Sequence, residues 1–184
     1  MRYPAFRELQ TVRLCLRKIR MEDAEHFYRR LGGSEAVTRY MLFQSHNSME
    51  QSRESIQKWL SRYASGNCYH WAIALKATDE LIGVIDLLRF DEETNSCSFA
   101  YMLGEGFWNQ GYGTEAVRAV FDFGFREMEL EFIEADHMEE NGASGAVMQK
   151  CGMVYQKTIP EKYEKNGKQH NARVYRITRE DWMK

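Results

Sequence analysis

Apolar and polar positions alternate along several short stretches of the chain, and this two-residue period is typical of strands with one buried face. The stretch 11–19 alternates in this way and predicts a first strand. Three later runs, Tyr69 to Leu75, Leu81 to Phe90 and Ser96 to Leu103, are rich in strand-forming residues. Because short polar turns separate these runs, they predict an antiparallel meander.

Apolar residues that recur three and four positions apart predict helices elsewhere in the chain. Two helices precede the meander, one from Met21 to Leu31 and one from about Met49 to Tyr63. A third runs from Thr114 to about Met128. A fourth, shorter helix follows Asn141, a suitable N-cap residue, and runs to Cys151.

The remaining strands set the topology. Phe132 to Met138 lies between the last two helices, and a strand, helix, strand succession implies a parallel pair with a right-handed crossover. We therefore expect this strand beside Ser96 to Leu103. Met153 to Ile159 and Ala172 to Ile177 predict the last two strands, joined by a charged linker that contains Asn166-Gly167 and is longer than a tight hairpin turn.

Composition indicates one folded domain over residues 1–184. With 43% hydrophobic residues, the chain can bury a sizeable core. We expect an α/β (α+β) fold with a mixed, mostly antiparallel sheet of six to seven strands and about four helices. The net charge of −2 gives no reason to expect nucleic acid. No apolar stretch predicts a membrane span or signal peptide, so we expect a cytoplasmic protein with reduced cysteines and no metal.

The segment Phe107 to Ala116 joins a predicted strand to a strongly apolar helix. Gly111 and Gly113 allow the backbone of this turn to approach a ligand, and the start of a helix offers unpaired N–H groups to phosphate. A lone G-x-G is weak evidence, since it more often marks a tight turn. A protein that binds another nucleotide is one alternative, although the chain lacks a Walker lysine and a dinucleotide fingerprint.

Further motifs narrow this interpretation. The stretch WNQGYGTEA from Trp108 resembles the pattern W-x-x-G-[YF]-[AG]-T-E-A. RLCLR from Arg13, with MEDA from Met21, is similar to R-L-x-L-R and E-D-A. NGAS from Asn141, with VMQKCGM from Val147, is similar to N-x-x-S and V-x-x-K-x-G-F. Together these motifs resemble the GNAT superfamily of acetyl-coenzyme A dependent N-acetyltransferases, in the branch that includes ribosomal-protein N-terminal acetyltransferases.

This resemblance implies a GNAT-like sheet whose parallel strands, at 96–103 and 132–138, splay apart to admit acetyl-CoA. The turn before the third helix would contact the pyrophosphate through main-chain N–H groups, and the pantetheine arm would pair with the opened strand edge. The cofactor-binding residues implied in this way are Tyr101, Met102, Leu103, Trp108, Asn109, Gln110, Gly111, Tyr112, Gly113, Thr114, Asn141 and Ser144.

Acetyl transfer needs a neutral amine, a donor for the developing oxyanion and a proton for the departing thiolate. The resemblance implies that Ser144 donates to the thiolate, because Met148 stands where many relatives carry a tyrosine. The alternative is that Ser144 only satisfies backbone groups in the first turn of its helix. The main-chain N–H of Met102 is the candidate oxyanion donor.

The general base is not identified by the sequence. Ser98 occupies the position at which relatives often carry a glutamate. Asp86, Glu161 and Glu164 are candidates, and each is also explained as a structural or solvated group. Glu115 lies at a helix start, where the helix dipole alone accounts for a carboxylate.

The sequence therefore predicts transfer of an acetyl group from acetyl-CoA to a primary amine, either a protein N-terminus or a small molecule, in a monomer or homodimer. A noncatalytic acyl-CoA binding or sensing module is the alternative, because the glutamate described above is missing. We expect the acceptor pocket between the first two helices and the final hairpin loop. The segment Tyr40 to His46 is explained equally by core packing and by a place in that pocket.

Overall fold

Eight strands form one sheet in the computed structural model, which describes residues 3–64, 66 and 68–184. Across the sheet the strands follow the order β1-β2-β3-β4-β5-β6-β8-β7. They are β1 (Leu9–Gln10), β2 (Leu14–Arg17), β3 (Tyr69–Leu75), β4 (Leu81–Asp91), β5 (Ser96–Leu103), β6 (Phe132–Met138), β7 (Val154–Lys165) and β8 (Lys168–Thr178).

The sheet has the predicted class but more strands than expected. Strands β5 and β6 run parallel, and every other neighbouring pair is antiparallel. The predicted first strand, 11–19, is instead the two-strand hairpin β1–β2, since the Thr11 hydroxyl accepts from the Leu14 N–H at 2.8 Å and turns the chain. The mixed, mostly antiparallel fold is confirmed, and the count of six to seven strands is corrected to eight.

The parallel pair separates after three residue pairs. Ser98 lies opposite Glu134 at the last paired position, and no register links β5 to β6 beyond it. Each strand keeps its other neighbour, because β4 pairs with β5 as far as Leu103 and β8 pairs with β6 as far as Met138. The predicted splay is confirmed, and it leaves main-chain groups of β5 and β6 facing a gap.

Six α-helices lie among the described residues, rather than the expected four. They are α1 (Ala24–Phe27), α2 (Glu35–Thr38), α3 (Met49–Tyr63), α4 (Tyr112–Arg126), α5 (Gly142–Lys150) and α6 (Arg179–Met183). The helix predicted at 21–31 is a 3-10 turn, α1 and a π turn in succession. In the part of the chain that the structure describes, no helix combines the length and apolarity needed to cross a membrane.

Different helices cover the two faces of the sheet, and apolar side chains are buried between the sheet and the helices. On one face, Val117 and Phe121 of α4 and Met148 of α5 are buried in a shared core. On the other, Phe27 of α1 and Ile56 of α3 belong to a second buried cluster. The gap between β5 and β6 therefore opens between two buried layers.

The final hairpin extends further than its sequence indicated. Strands β7 and β8 continue to Lys165 and from Lys168, and the two-residue turn Asn166-Gly167 joins them. Both turn residues have positive φ, 53° and 73°, as a tight hairpin turn requires. The predicted long linker is thus wrong, because most of its charged residues lie within the largely exposed ends of the two strands next to the turn.

Candidate active site

The gap between β5 and β6 widens into a cleft of about 500 Å³. Residues of β5, of the turn at 107–111, of the first turns of α4 and α5, and of β6 line this cleft. Helix α2 and the segment after it also contribute, including Val37, Tyr40 and Met41. The segment at 40–46, which the sequence left open, therefore supplies part of the cleft wall. A cleft of this volume suits a cofactor and a small acceptor group.

Most of the predicted cofactor residues meet in this cleft. Gln110 and Tyr112 are the two whose side chains point elsewhere: Gln110 donates to the Gly106 carbonyl at 2.7 Å, and the Arg13 guanidinium lies 4.1 Å from the centre of the Tyr112 ring. The predicted residues that line the cleft are Tyr101, Met102, Leu103, Trp108, Asn109, Gly111, Gly113, Thr114, Asn141 and Ser144.

The turn before α4 is fixed by its own contacts. The indole N–H of Trp108 donates to the Leu103 carbonyl at 2.7 Å, and Arg13 donates to the Gln110 carbonyl at 3.0 Å. Gly111 has φ +82°, a left-handed conformation that glycine adopts without strain. The turn thus presents the start of a 15-residue helix, with its positive dipole end, to the cleft.

The register between β4 and β5 decides which main-chain groups of β5 face the gap. The Gly104 N–H donates to the Ile82 carbonyl at 2.8 Å, and bonded pairs alternate with non-bonded pairs along an antiparallel ladder. Met102 lies opposite Val84, so it belongs to a bonded pair and directs its N–H toward β4. The main-chain groups of Tyr101 face β6 instead. The Met102 N–H, predicted as the oxyanion donor, therefore does not face the gap. The N–H of the preceding residue, Tyr101, faces it instead.

The start of α5 brings Ser144 to the cleft. The Asn141 side chain accepts from the Ser144 N–H at 3.4 Å, as predicted for an N-cap. The Ser144 side chain lies close to the Tyr101 hydroxyl. Burial raises the pKa of Tyr101 to about 12, although the neighbouring Ser144 hydroxyl acts to lower it, so the phenol stays protonated at neutral pH. The side chain of Tyr101 had no predicted role, although strand alternation places it on one face with Phe99.

The carboxylates proposed as bases lie outside the cleft. Asp86 accepts from the buried His70 ring at 2.7 Å, while Glu161 and Glu164 are exposed on the final hairpin. Glu115 accepts from the Thr11 hydroxyl at 2.6 Å and from Arg13, which supports the structural explanation of this residue.

Asp136 is the one carboxylate among the described residues that line the cleft. Its side chain is 15% exposed and accepts from the Lys162 ammonium at 2.5 Å and from the Tyr163 hydroxyl. Sequence reasoning missed this residue. The available signal was a charged side chain at an alternate position of a central strand, two residues after Glu134.

His137, the neighbour of Asp136, has a packing role. Its Nδ1–H donates to the Met138 carbonyl at 2.7 Å, its ring stacks on Tyr175, and burial lowers its pKa. A Cβ at Gly145 would lie 2.7 Å from the His137 ring. Across the described ranges, no group of three or more His, Cys, Asp or Glu side chains is placed to hold a metal ion.

Comparison with known proteins agrees with this geometry. Residues 13–154 match the family model of the acetyltransferase (GNAT) domain. An uncharacterised N-acetyltransferase, p20, from Bacillus licheniformis is 35% identical over 136 residues, which make up 74% of this chain and 76% of that protein. The uncharacterised N-acetyltransferase YoaA from Bacillus subtilis is 29% identical over 171 residues, 93% of this chain and 96% of that protein.

A solved structure has the same fold. It is that of a proposed ribosomal-protein-serine acetyltransferase from Vibrio cholerae, with a TM-score of 0.83 and 24% identity over 94% of this chain and 97% of that one. The predicted enzyme class and its acetyl-CoA cosubstrate are confirmed by the family match. The chain therefore belongs to the GNAT acetyltransferase family.

Proposed function

We propose that this acetyltransferase transfers the acetyl group of acetyl-CoA to a primary amine by direct attack, in the cleft between β5 and β6. The acceptor is the N-terminus of a protein or a small amine. The observation that carries the proposal is the end of β5–β6 pairing at Ser98 and Glu134. Because no strand then pairs with Tyr101 on the side that faces β6, the amides of a pantetheine arm fit beside it as a strand would.

The turn before α4 supports a pyrophosphate site. Main-chain N–H groups between Trp108 and Thr114 would hold the phosphates, since they lie at the start of a long helix and need no metal. Gly111 gives the turn its left-handed bend, and the contact from Arg13 fixes it. Asn141 would face the arm from the opposite side of the cleft while it caps α5.

The hydroxyl pair at the cleft supports the proton chemistry. A thioester supplies an activated carbonyl, and attack by the amine forms a C–N bond while the C–S bond breaks. We assign Ser144 as the donor of a proton to the departing sulfur, with the Tyr101 hydroxyl beside it. We assign the Tyr101 N–H to the oxyanion. The attacking nitrogen loses one proton to solvent before attack and a second one afterwards, which restores the Ser144 hydroxyl.

A screen of acceptors tests this function. Purified protein is incubated with acetyl-CoA and with peptides bearing free N-termini, polyamines, amino acids or aminoglycosides, while free CoA thiol and acetylated product are measured by absorbance and by mass. We expect release of CoA that depends on the amine and equals the acetylated product. Tight CoA binding without such release from any acceptor class would instead favour an acyl-CoA binding module.

The donor is tested separately by calorimetric titration. We expect CoA to bind, and ATP and NAD to bind at least about tenfold more weakly, because the cleft offers a strand edge for pantetheine that neither nucleotide uses. A preference for ATP or NAD would contradict the assignment of the turn at 107–111 to coenzyme A.

A further inference from the structure

The final hairpin places a primary ammonium on the carboxylate of the cleft. Lys162 Nζ lies 2.5 Å from Asp136 Oδ2, and the Tyr163 hydroxyl donates to the other carboxylate oxygen. The Asp136 and Lys162 side chains are 15% and 28% exposed. Asp136 is therefore neither a buried structural charge nor a solvated surface group.

The position of Asp136 relates it to the site of acetyl transfer. It lies two residues beyond Glu134, the last residue of β6 that pairs with β5. If the pairing of β5 and β6 continued past Ser98 and Glu134 at the same register, Asp136 would lie opposite Ala100. Both residues line the open cleft. A ligand that enters the gap beside Tyr101 thus lies between β5 and this carboxylate.

We propose that Asp136 binds the ammonium form of the acceptor amine, and that Lys162 occupies the same position in the free enzyme. The proposal rests on the acetyl transfer proposed above and identifies how its acceptor is held. A carboxylate that already accepts from one primary ammonium has the charge and geometry to accept from another. Tyr163 orients the carboxylate from the side that the ammonium does not use.

The walls of the cleft narrow the class of acceptor. Val37, Tyr40 and Met41 contribute apolar and aromatic surface, and among the described lining residues no second carboxylate accompanies Asp136. A polyamine would bring a further positive charge to this surface and find no partner there. We therefore infer an acceptor that carries one positive charge beside an apolar or aromatic group.

A purely structural role for Asp136 makes a different prediction. If the carboxylate only ties the final hairpin to β6, then removal of either partner breaks the same contact and has the same effect. If Asp136 binds the acceptor, its removal weakens acceptor binding, whereas removal of Lys162 frees the carboxylate and strengthens acceptor binding.

The experiment compares Asp136→Asn, Lys162→Met and Tyr163→Phe with wild type, using phenethylamine, butylamine and spermidine as acceptors. Glu134→Gln is the matched control, because Glu134 lies on the same strand, pairs with Arg176 at 2.9 Å and does not line the cleft. The KM for each amine, the Kd for CoA and the thermal unfolding midpoint are measured for every variant.

We expect Asp136→Asn to raise the KM for phenethylamine about 10- to 100-fold, because the variant loses one hydrogen bond between charged groups. Lys162→Met should lower this KM several-fold, Tyr163→Phe should raise it more modestly, and Glu134→Gln should leave it unchanged. The Kd for CoA should stay constant throughout. The wild-type kcat/KM should be higher for phenethylamine than for butylamine or spermidine.

Equal increases of KM in the Asp136 and Lys162 variants would overturn the proposal and leave a hairpin anchor. If Asp136→Asn does not fold, the other two variants still test the proposal, because Lys162→Met should lower the KM and Tyr163→Phe should raise it. Preference for spermidine would overturn the acceptor class. A wild-type protein that acetylates none of these amines but acetylates a peptide N-terminus would also overturn the acceptor class. A protein that acetylates no acceptor of the earlier screen would refute the proposed function itself, whereas an active enzyme with unaffected variants would refute only the role of Asp136.

Discussion

The hydroxyl of Ser144 is separate from the helix cap beside it. The side chain and carbonyl of Asn141 accept from the Ser144 N–H, so the cap uses the main chain of Ser144 and does not use its hydroxyl, which lies beside Tyr101. At the scale of a single residue, this separates the two explanations that the sequence left open. A structural role for the main chain and a chemical role for the side chain are compatible.

Ser144→Ala removes only the hydroxyl. We expect kcat to fall about 100-fold, because the departing thiolate loses its proton donor, with little change in the Kd for CoA or in stability. Single-turnover kinetics measure the chemical step directly. If the rate of that step is unchanged, Ser144 has no part in the mechanism.

Gly111→Ala tests the turn that we propose binds the phosphates of CoA. At φ +82°, alanine costs about 1–2 kcal/mol, and its Cβ would lie 3.3 Å from the Arg13 guanidinium. We expect a lower unfolding midpoint and weaker CoA binding, measured by thermal denaturation and calorimetry. Gly106→Ala is the control, since a Cβ at Gly106 would meet no atom within 4 Å. Equal effects of the two substitutions would contradict the role given to Gly111.

At the scale of elements, two contacts connect the cleft to distant parts of the chain. Glu115 joins the start of α4 to the β1–β2 hairpin through Thr11 and Arg13. Lys165, at the tip of the final hairpin, donates to the carbonyls of Thr38 and Phe43 at 2.9 Å each and also to that of Met41. These contacts fix the turn that we propose binds the phosphates and the wall that we propose faces the acceptor.

Glu115→Gln should destabilise the protein in a way that depends on pH. Burial acts to raise the pKa of Glu115, but the hydrogen bonds from Thr11 and Arg13 outweigh it, so the pKa lies below its ordinary value. A lowered pKa in the folded state contributes stability above the pKa of the unfolded chain, about 4.3, and this stability is lost as the pH falls through the folded value.

Urea unfolding at pH 7, 5 and 4 measures this effect. We expect Glu115→Gln to cost about 1–3 kcal/mol at pH 7 and progressively less below about pH 4. The control is Asp122→Asn on the same helix, which breaks the exposed pair with Arg126 and should cost at most about 0.5 kcal/mol. If the difference in unfolding free energy between wild type and Glu115→Gln does not shrink as the pH falls, this explanation of Glu115 is wrong.

Lys165→Met should loosen the acceptor wall. Burial lowers the pKa of Lys165, and its ammonium is held by three carbonyl groups of the segment that lines the cleft. We expect the KM for the amine to rise several-fold while the Kd for CoA stays constant, as steady-state kinetics and calorimetry would show. Lys157→Met, an exposed site on the same strand, is the control. An unchanged KM would mean that the hairpin tip does not position this wall.

The elements that the sequence predicted well are long enough for their pattern of apolar residues to repeat at least once. The helix at 49–63 and the strand at 132–138 agree with α3 and β6 to the residue. Short elements were missed, since α2 and α6 are only one turn long and show no complete period. The hairpin of β7 and β8 was underestimated because its exposed strands are too polar to stand out from a loop.

The motifs indicated the donor side of the site, whereas the acceptor side depends on long-range contacts. Trp108 to Thr114 are consecutive, so a local pattern was sufficient to predict their turn. Asp136 and Tyr163 are 27 positions apart and meet because β8 lies between β6 and β7. No local period reveals that strand order, and the register that directs the Met102 N–H toward β4 is equally hidden.

At the scale of the whole molecule, the sheet is continuous except where two parallel strands part. Helices cover both faces, so the opening lies between two buried layers. In the proposed mechanism, the donor and the acceptor meet at one break in the sheet, with Ser144 and Tyr101 on one side and Asp136 on the other.

A crystal structure of the protein with bound CoA tests this account most directly. We expect the pantetheine arm between β5 and β6, with main-chain hydrogen bonds to Tyr101, and the pyrophosphate at the N–H groups between Asn109 and Thr114. CoA bound elsewhere on the protein, or a β6 that pairs with β5 beyond Ser98 while CoA is bound, would contradict it.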